Sequence, residues 1–437
     1  MLAILRNRTY RHLFAAQVIA LLGTGLMTVA LGLLAYDLAG ADAGAVLGTA
    51  LAIKMIAYVG VAPVAQAFTD RLPRRSLLVG LDLIRGSIAL CLPFVTEIWQ
   101  IYLLIFVLQA ASAAFTPTFQ ATIPDILPDE DEYTRALSLS RLAYDLESLV
   151  SPMLAAALLS VISFHSLFAG TILGFLASAA LVFSVRLPVP HTVGPRRGVW
   201  DRTTRGLRIY LATPRLRGLL AINLAVAAAG SMVIVNTVVL VKASFGLAEP
   251  QVALALAAFG AGSMIAALSL PRVLEHLSDR PVMIAGAAAL VLGTAAGTIV
   301  GSYGGLLILW LILGFGYSVA QTPSGRLLRR SAHPEDRPAV FAAQFALSHA
   351  CWLICYPLAG QLGATVGMGE AFAAMALIAL AGVGLASRLW PNGDPTHIAH
   401  QHPDLPDDHP HLAAFGGNGR HHHPVVIDDI HAQWPAQ

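Results

Sequence analysis

Residues 69–75 read Thr69-Asp70-Arg71-Leu72-Pro73-Arg74-Arg75, and residues 278–281 read Ser278-Asp279-Arg280-Pro281, an offset of 209 residues. Each stretch follows an apolar run. Thr116-Pro117 is echoed by Thr322-Pro323 at an offset of 206. Two landmarks repeated at nearly one offset point to a chain built from two related halves. The runs around them fit. Phe14–Tyr36, Val46–Phe68, Ser76–Val95, Trp99–Gln120, Leu137–Ile162 and Leu167–Val185 precede a polar stretch, and Leu219–Val241, Val252–Leu270, Val282–Val300, Leu306–Thr322, Val340–Leu362 and Ala371–Ala386 follow it. Each approaches the ~20 apolar residues that a membrane helix needs.

Composition demands lipid. Of 437 residues, 56% are hydrophobic and 12% charged, about half the ~25% charged fraction of ordinary globular proteins. The mean hydropathy is +0.69. The expected fold is all-α and polytopic: residues 1–185 as a first six-helix half, 186–218 as a central loop, 219–388 as a second half, and 389–437 as a disordered tail. The run Phe14–Tyr36 follows Arg6, Arg8 and Arg11 and is too long for a cleaved signal. Lys and Arg concentrate in alternate loops, with eight arginines between Arg186 and Gly218 and four more at Arg326, Arg329, Arg330 and Arg337. Basic loops stay in the cytoplasm, so both termini are expected there. Cys91, Cys351 and Cys355 all lie in apolar stretches and make no disulfide framework.

On these features the chain resembles the major facilitator superfamily. The resemblance spans about residues 1–388 and includes the signature after the second span, Gly-x-x-x-Asp-Arg-x-Gly-Arg-Arg, represented here by Gln66, Asp70, Arg71, Pro73, Arg74 and Arg75. Its two glycines are replaced. The resemblance implies twelve transmembrane helices in two rocking halves. It also implies a cytoplasmic latch formed by Asp70, Arg71, Arg74 and Arg75.

An ionisable residue in a span costs about 2.5–3.5 kcal/mol on an insertion scale and needs a partner, water or a function. All such residues fall in the first half: Lys54, Asp82, Arg85, Arg141, Asp145 and Glu147. Asp82 and Arg85 share one side of a helix, as do Arg141 and Asp145, whereas Glu147 lies about 200° from Asp145. Asp82, Arg85, Arg141, Asp145 and Glu147 are therefore candidates for gating or proton coupling. By depth in the spans, all but Lys54 fall toward the cytoplasmic side. The second half offers Asn223, Asn236, Gln321 and His349 as polar pore candidates. Cys351 and Cys355 read as packing residues.

The tail holds nine of the chain's 15 histidines: His397, His400, His402, His409, His411, His421, His422, His423 and His431. Imidazole suits nickel, cobalt, copper and zinc, and these clusters suggest several weak metal sites. A twelve-span carrier with such a tail resembles the nickel-resistance permeases of bacteria. That resemblance implies a multi-pass inner-membrane exporter of Ni²⁺ or Co²⁺ driven by proton antiport. Metal would be substrate, with no resident cofactor. Protons and the lipid bilayer are the other partners, nucleic acid is not one, and a monomer is expected. Two rival readings are an exporter of an organic drug or siderophore, with Tyr36, Tyr58, Phe115, Phe315 and Tyr317 lining its cavity, and a membrane-anchored metal sensor or buffer. An enzyme is not expected: the chain has neither a His-Glu-x-x-His zinc motif nor a Gly-x-x-x-x-Gly-Lys phosphate loop.

Overall fold

The computed structural model describes residues 2–69, 73–187, 199–333, 336–392, 397–400, 412, 421–424, 426–428, 430–431 and 434. The first half contains α1 (Arg8–Ala39), α2 (Ala43–Thr69), α3 (Arg74–Cys91), α4 (Ile98–Ile126), α5 (Glu130–Leu159) and α6 (Phe164–Phe183). After α7 (Val199–Ala212), the second half contains α8 (Pro214–Val239), α9 (Glu249–His276), α10 (Asp279–Ala296), α11 (Tyr303–Gln321), α12 (Ser324–Arg329), α13 (Arg337–Thr365) and α14 (Met368–Leu389). The short α7 and α12 lie outside the twelve long helices, and the fold is all-α and polytopic.

Among the described residues, ten segments are long and apolar enough to cross a membrane. One of them, Arg8–Gly60, holds both α1 and α2, which are separated by a tight turn at Gly40, where φ is +56°. The remaining long helix is α5. It begins at Glu130, capped by the Asp129 side chain on the Glu132 N–H, and among its described residues Val150–Leu159 is a shorter apolar stretch. The apolar run had placed its start at Leu137. Seven further helical residues make Glu147 the eighteenth of 30, just past the middle of the helix, where the apolar run would set it before the middle.

The halves are four-way helix packings with small residues where backbones approach. In the first, α1 packs on α6 and α2 on α4; in the second, α8 packs on α14 and α9 on α11. Thr171 Oγ1 of α6 donates to the Gly23 carbonyl of α1 at 2.7 Å, joining the two helices without a charged group. Across the halves, α2 packs on α13 and α5 on α9.

The central connection is more ordered than a loop. Its α7 is amphipathic and packs on α13, where Arg205 grips Asp336 with Nε and a terminal nitrogen at 2.6 and 2.9 Å. Tyr210 also donates to Gln344. The tail, expected to be disordered, contributes two short strands: β1 (His397–His400) pairs antiparallel with β2 (His421–Pro424), with His400 opposite His421.

Candidate functional site between the two halves

Helices α2 and α13 run antiparallel along the junction of the halves, and their composition changes along it. Gly44 and Gly48 of α2 meet Tyr356 and Gly360 of α13 at the end remote from the arginines. A Cβ on Gly48 would lie 2.5 Å from the Tyr356 carbonyl oxygen, and one on Gly360 would overlap the Gly44 carbonyl. Asn236 of α8 locks onto the same place. Its amide donates to the Ala359 carbonyl at 3.0 Å, and its buried Oδ1 faces Gly44. The halves thus meet here in close backbone contact, which could act as a seal between them.

Further along, toward the arginine-rich face, the seam becomes polar and aromatic. Lys54 and Tyr58 of α2 face His349 and Phe345 of α13. The Tyr58 and His349 rings stack with centroids 5.8 Å apart, and Phe345 lies 5.9 Å from Tyr58 and 3.8 Å from His349. His349 Nδ1 is 2.6 Å from the Phe345 carbonyl. A carbonyl only accepts, so Nδ1 carries a hydrogen in this contact. Lys54 lies within electrostatic range of both His349 and Glu147 of α5. All three are half-buried. One ammonium, one carboxylate and one imidazole from α2, α5 and α13 thus meet where the halves join. Lys54 and Glu147 are both carried by the first half, so a proton or a charged ligand at Glu147 changes the charge that this half presents at the junction.

Of the other candidates in the spans, Asp82 and Arg85 form a self-contained unit inside the first half. Asp82 is fully buried and accepts from Arg85 and from Ser178 Oγ at 2.7 Å. The Arg85 guanidinium lies 4.1 Å from the Phe115 ring and 4.6 Å from that of Phe175. A pair so enclosed by α3, α4 and α6 fastens that half. Arg85→Ala strands a buried carboxylate and is expected to destabilise the protein by about 3–5 kcal/mol, read as a large fall in the detergent melting temperature. The side chains of Arg141 and Asp145 lie outside the described residues. Asn223 and Gln321 bond to each other at 3.0 Å within the second half, away from the charge pair. Of the five aromatic candidates, Tyr58 faces the site; Phe115 serves Arg85, Tyr36 faces Lys242 at 4.9 Å, Tyr317 packs on Phe259, and Phe315 points outward.

At the arginine-rich face, Asp70 and Arg71 lie outside the described residues. Arg74 pairs with Asp125, and Arg75 donates to the Phe183 carbonyl. All these partners belong to the first half. The repeated copy is complete: Asp279 accepts from Arg326 and forms an ion pair with Arg330 at 3.5 Å, and Arg280 Nε donates to the Trp390 carbonyl at 2.8 Å. Each motif copy, as far as described, ties its own half together.

His402, His409 and His411 lie outside the described residues. His397, His400, His421, His422 and His423 are described by their backbones alone. Among the described residues, no group of three or more His, Cys, Asp and Glu side chains is placed to hold a metal. His431 docks on the second half. Ile427 is 2% exposed and belongs to its core, Trp434 lies over Arg215 at 5.1 Å, and Asp428 meets His431 Nδ1 at 3.0 Å and His333 Nε2 at 3.2 Å. Burial raises the Asp428 carboxyl's pKa, but hydrogen bonds from His431 and the Ile430 N–H outweigh that and hold it well below the usual carboxylate range. The depressed value means its contribution is present above the ordinary range near 3.9 and is lost as pH falls toward the folded value. Asp428→Asn is expected to weaken docking by about 1.5–3 kcal/mol, detected as faster proteolysis of the tail at neutral pH.

The Major Facilitator Superfamily model matches residues 13–235 and 220–406. Macrolide efflux protein A of Streptococcus pyogenes is 26% identical over 181 residues, covering 40% of this chain and 44% of that protein. Macrolide efflux protein A of Enterococcus faecalis is 28% identical over 152 residues, covering 32% and 47%. The chain spans less than half the length of these curated relatives. The solved nucleoside transporter NupG superposes with a TM-score of 0.64 at 13% identity, covering 87% of this chain and 98% of that one. A bacterial homologue of the human lysosomal transporter Spinster, inward-facing and occupied, gives 0.68 at 12%, covering 88% and 96%. At these identities the two structures speak for the fold.

Proposed function

The chain belongs to the major facilitator superfamily, and from that premise we propose that it is a proton-driven exporter of an amphipathic organic compound. Lys54 and Glu147, electrostatic neighbours on the first half where it meets the second, beside Tyr58, Phe345 and His349, carry this reading. The site has aromatic faces for an apolar body and one carboxylate for a polar group or a proton. Lys54 repels a divalent cation, which disfavours metal as the cargo at this place. The stretch matched by the macrolide efflux proteins agrees with an organic substrate.

In this account the seal at Gly44, Gly48 and Gly360 closes the outer side, and the site communicates with the arginine-rich, cytoplasmic face. Substrate enters there and competes with Lys54 for Glu147. The halves rock and substrate leaves outward. A proton from outside then takes its place on Glu147, the empty carrier returns, and the proton leaves to the cytoplasm as Lys54 and Glu147 pair again. Mutual exclusion at one carboxylate couples the two flows, and the duplicated halves supply the alternating access.

A second reading is export of Ni²⁺ or Co²⁺ fed by the tail, favoured by the ladder register that sets His400 opposite His421. Growth of an exporter-deficient bacterial host on graded erythromycin and graded NiCl₂, with the full chain and with a chain ending at Pro391, separates the two. The organic reading expects higher erythromycin tolerance from both chains and unchanged nickel tolerance. Nickel tolerance from the full chain alone, with erythromycin tolerance unchanged, would overturn it in favour of metal.

A further inference from the structure

Ser151 lies one helical turn beyond Glu147 on α5, is 1% exposed, and its Oγ has no hydrogen-bond partner. Among the described residues one other buried hydroxyl of a spanning helix, that of Thr294, is unpartnered as well. Many hydroxyls inside the spanning helices bond back to the carbonyl four residues earlier: Thr24 to Ala20, Thr28 to Thr24, Thr49 to Ala45, Ser112 to Leu108, Thr118 to Ala114 and Thr122 to Thr118, at 2.8–3.0 Å. The equivalent acceptor for Ser151 is the Glu147 carbonyl, and it is not used. The side chain is turned instead onto Gly25 of α1. A Cβ added at Gly25 would overlap Ser151 and would lie 2.7 Å from Glu147 Oε1. The hydroxyl and the carboxylate therefore share one notch that only glycine leaves open.

We propose that Ser151 is a positioning residue for the transported proton, a hydrogen-bond partner of the Glu147 carboxyl, unpaired while Glu147 faces Lys54 and engaged once Glu147 carries a proton. The inference rests on Glu147 as the proton site. A neutral carboxyl loses most of its attraction to Lys54 and both donates and accepts hydrogen bonds, so the free hydroxyl in the same notch becomes its partner. Few other groups compete. Lys54 faces Glu147 from α2, with His349 of α13 behind Lys54. Leu13–Ala35 of α1 and Val252–Leu270 of α9 contain no titratable residue, and those of α4 and α6, Tyr102, Asp125 and His165, lie near helix ends. Arg141 and Asp145 of α5 itself lie outside the described side chains.

Infrared difference titration of the full chain in lipid tests this without any substrate. The protonated Glu147 carbonyl stretch is identified as the band that Glu147→Gln removes. Ser151→Ala is expected to raise its frequency, as a lost hydrogen bond does, and to move its midpoint toward acid by about half a unit to one unit, a three- to tenfold loss of proton affinity. Ser151→Thr is expected to restore both. An unchanged band and midpoint in Ser151→Ala would overturn the proposal, as would a change that Ser151→Thr does not reverse. If Glu147→Gln removes no band, Glu147 itself is not the proton site, and the proposed mechanism fails before Ser151 is reached.

Discussion

Glu147→Gln is expected to abolish proton-driven accumulation of erythromycin in proteoliposomes while leaving exchange of labelled for unlabelled erythromycin in place. Glutamine keeps the shape and hydrogen-bonding capacity of the protonated acid but can neither release a proton nor hold a charge against Lys54. The halves still rock around bound substrate, so exchange survives. The coupling does not, because the carboxylate that made proton and substrate mutually exclusive is gone. Lys54→Ala acts differently. It leaves Glu147 without the cation that takes the proton's place on the cytoplasmic side, so proton release after the return step, and with it net transport, is expected to slow while exchange persists. If Glu147→Gln still concentrates erythromycin against a gradient, the coupling site lies elsewhere.

The second large effect is expected at the seal. Gly360→Val places a Cβ where it overlaps the Gly44 carbonyl, and the straight backbone contact of α2 with α13 cannot form. Overpacking of this kind costs about 1–3 kcal/mol, which shifts a two-state equilibrium about 5- to 150-fold away from the sealed state. The molecule carries its own reporter. Cys355 is fully buried and Cys351 nearly so, both next to this contact on α13, whereas Cys91 is exposed. In a Cys91→Ser background, thiol labelling from the outer side is expected to be slow in the parent and fast in Gly360→Val, with net transport lost. Equal labelling of both proteins would show that the seal is not where the halves close.

The twelve long helices were legible because eleven of them are apolar through most of their length and the landmarks around Asp70 and Asp279 repeat. Two elements blurred for definite reasons. The first turns of α5 are charged, so an apolar run starts too late and sets Glu147 too shallow; α7 is amphipathic and rich in arginine, so it reads as loop. The candidate site was half visible. Glu147 and His349 stood out as polar groups in spans, but no local spacing announces that α2 and α5 bring Lys54 to Glu147 from 93 positions away in the chain. Lys54 was set apart by its depth, which is the property that places it at the site. The seal had a signal that could have been read: Gly44-x-x-x-Gly48 is the small-residue spacing that lets membrane helices approach closely. Ser151 had none, since its distinction is a hydrogen bond that it does not make.

The histidine tail shows how composition and geometry diverge. Nine histidines suggest metal, yet the described end of the tail uses His431 to hold Asp428 against the second half, and Trp434 to cover Arg215. These contacts fasten the described end of the tail to the second half.

The most direct test is proton release on substrate binding. Purified protein in weakly buffered detergent solution at neutral pH, with a pH-indicating dye, is mixed with erythromycin. The account predicts proton release by the wild type over the pH range in which Glu147 is partly protonated, and none from Glu147→Gln. Binding of erythromycin without proton release, or equal release from the Glu147→Gln variant, would contradict it.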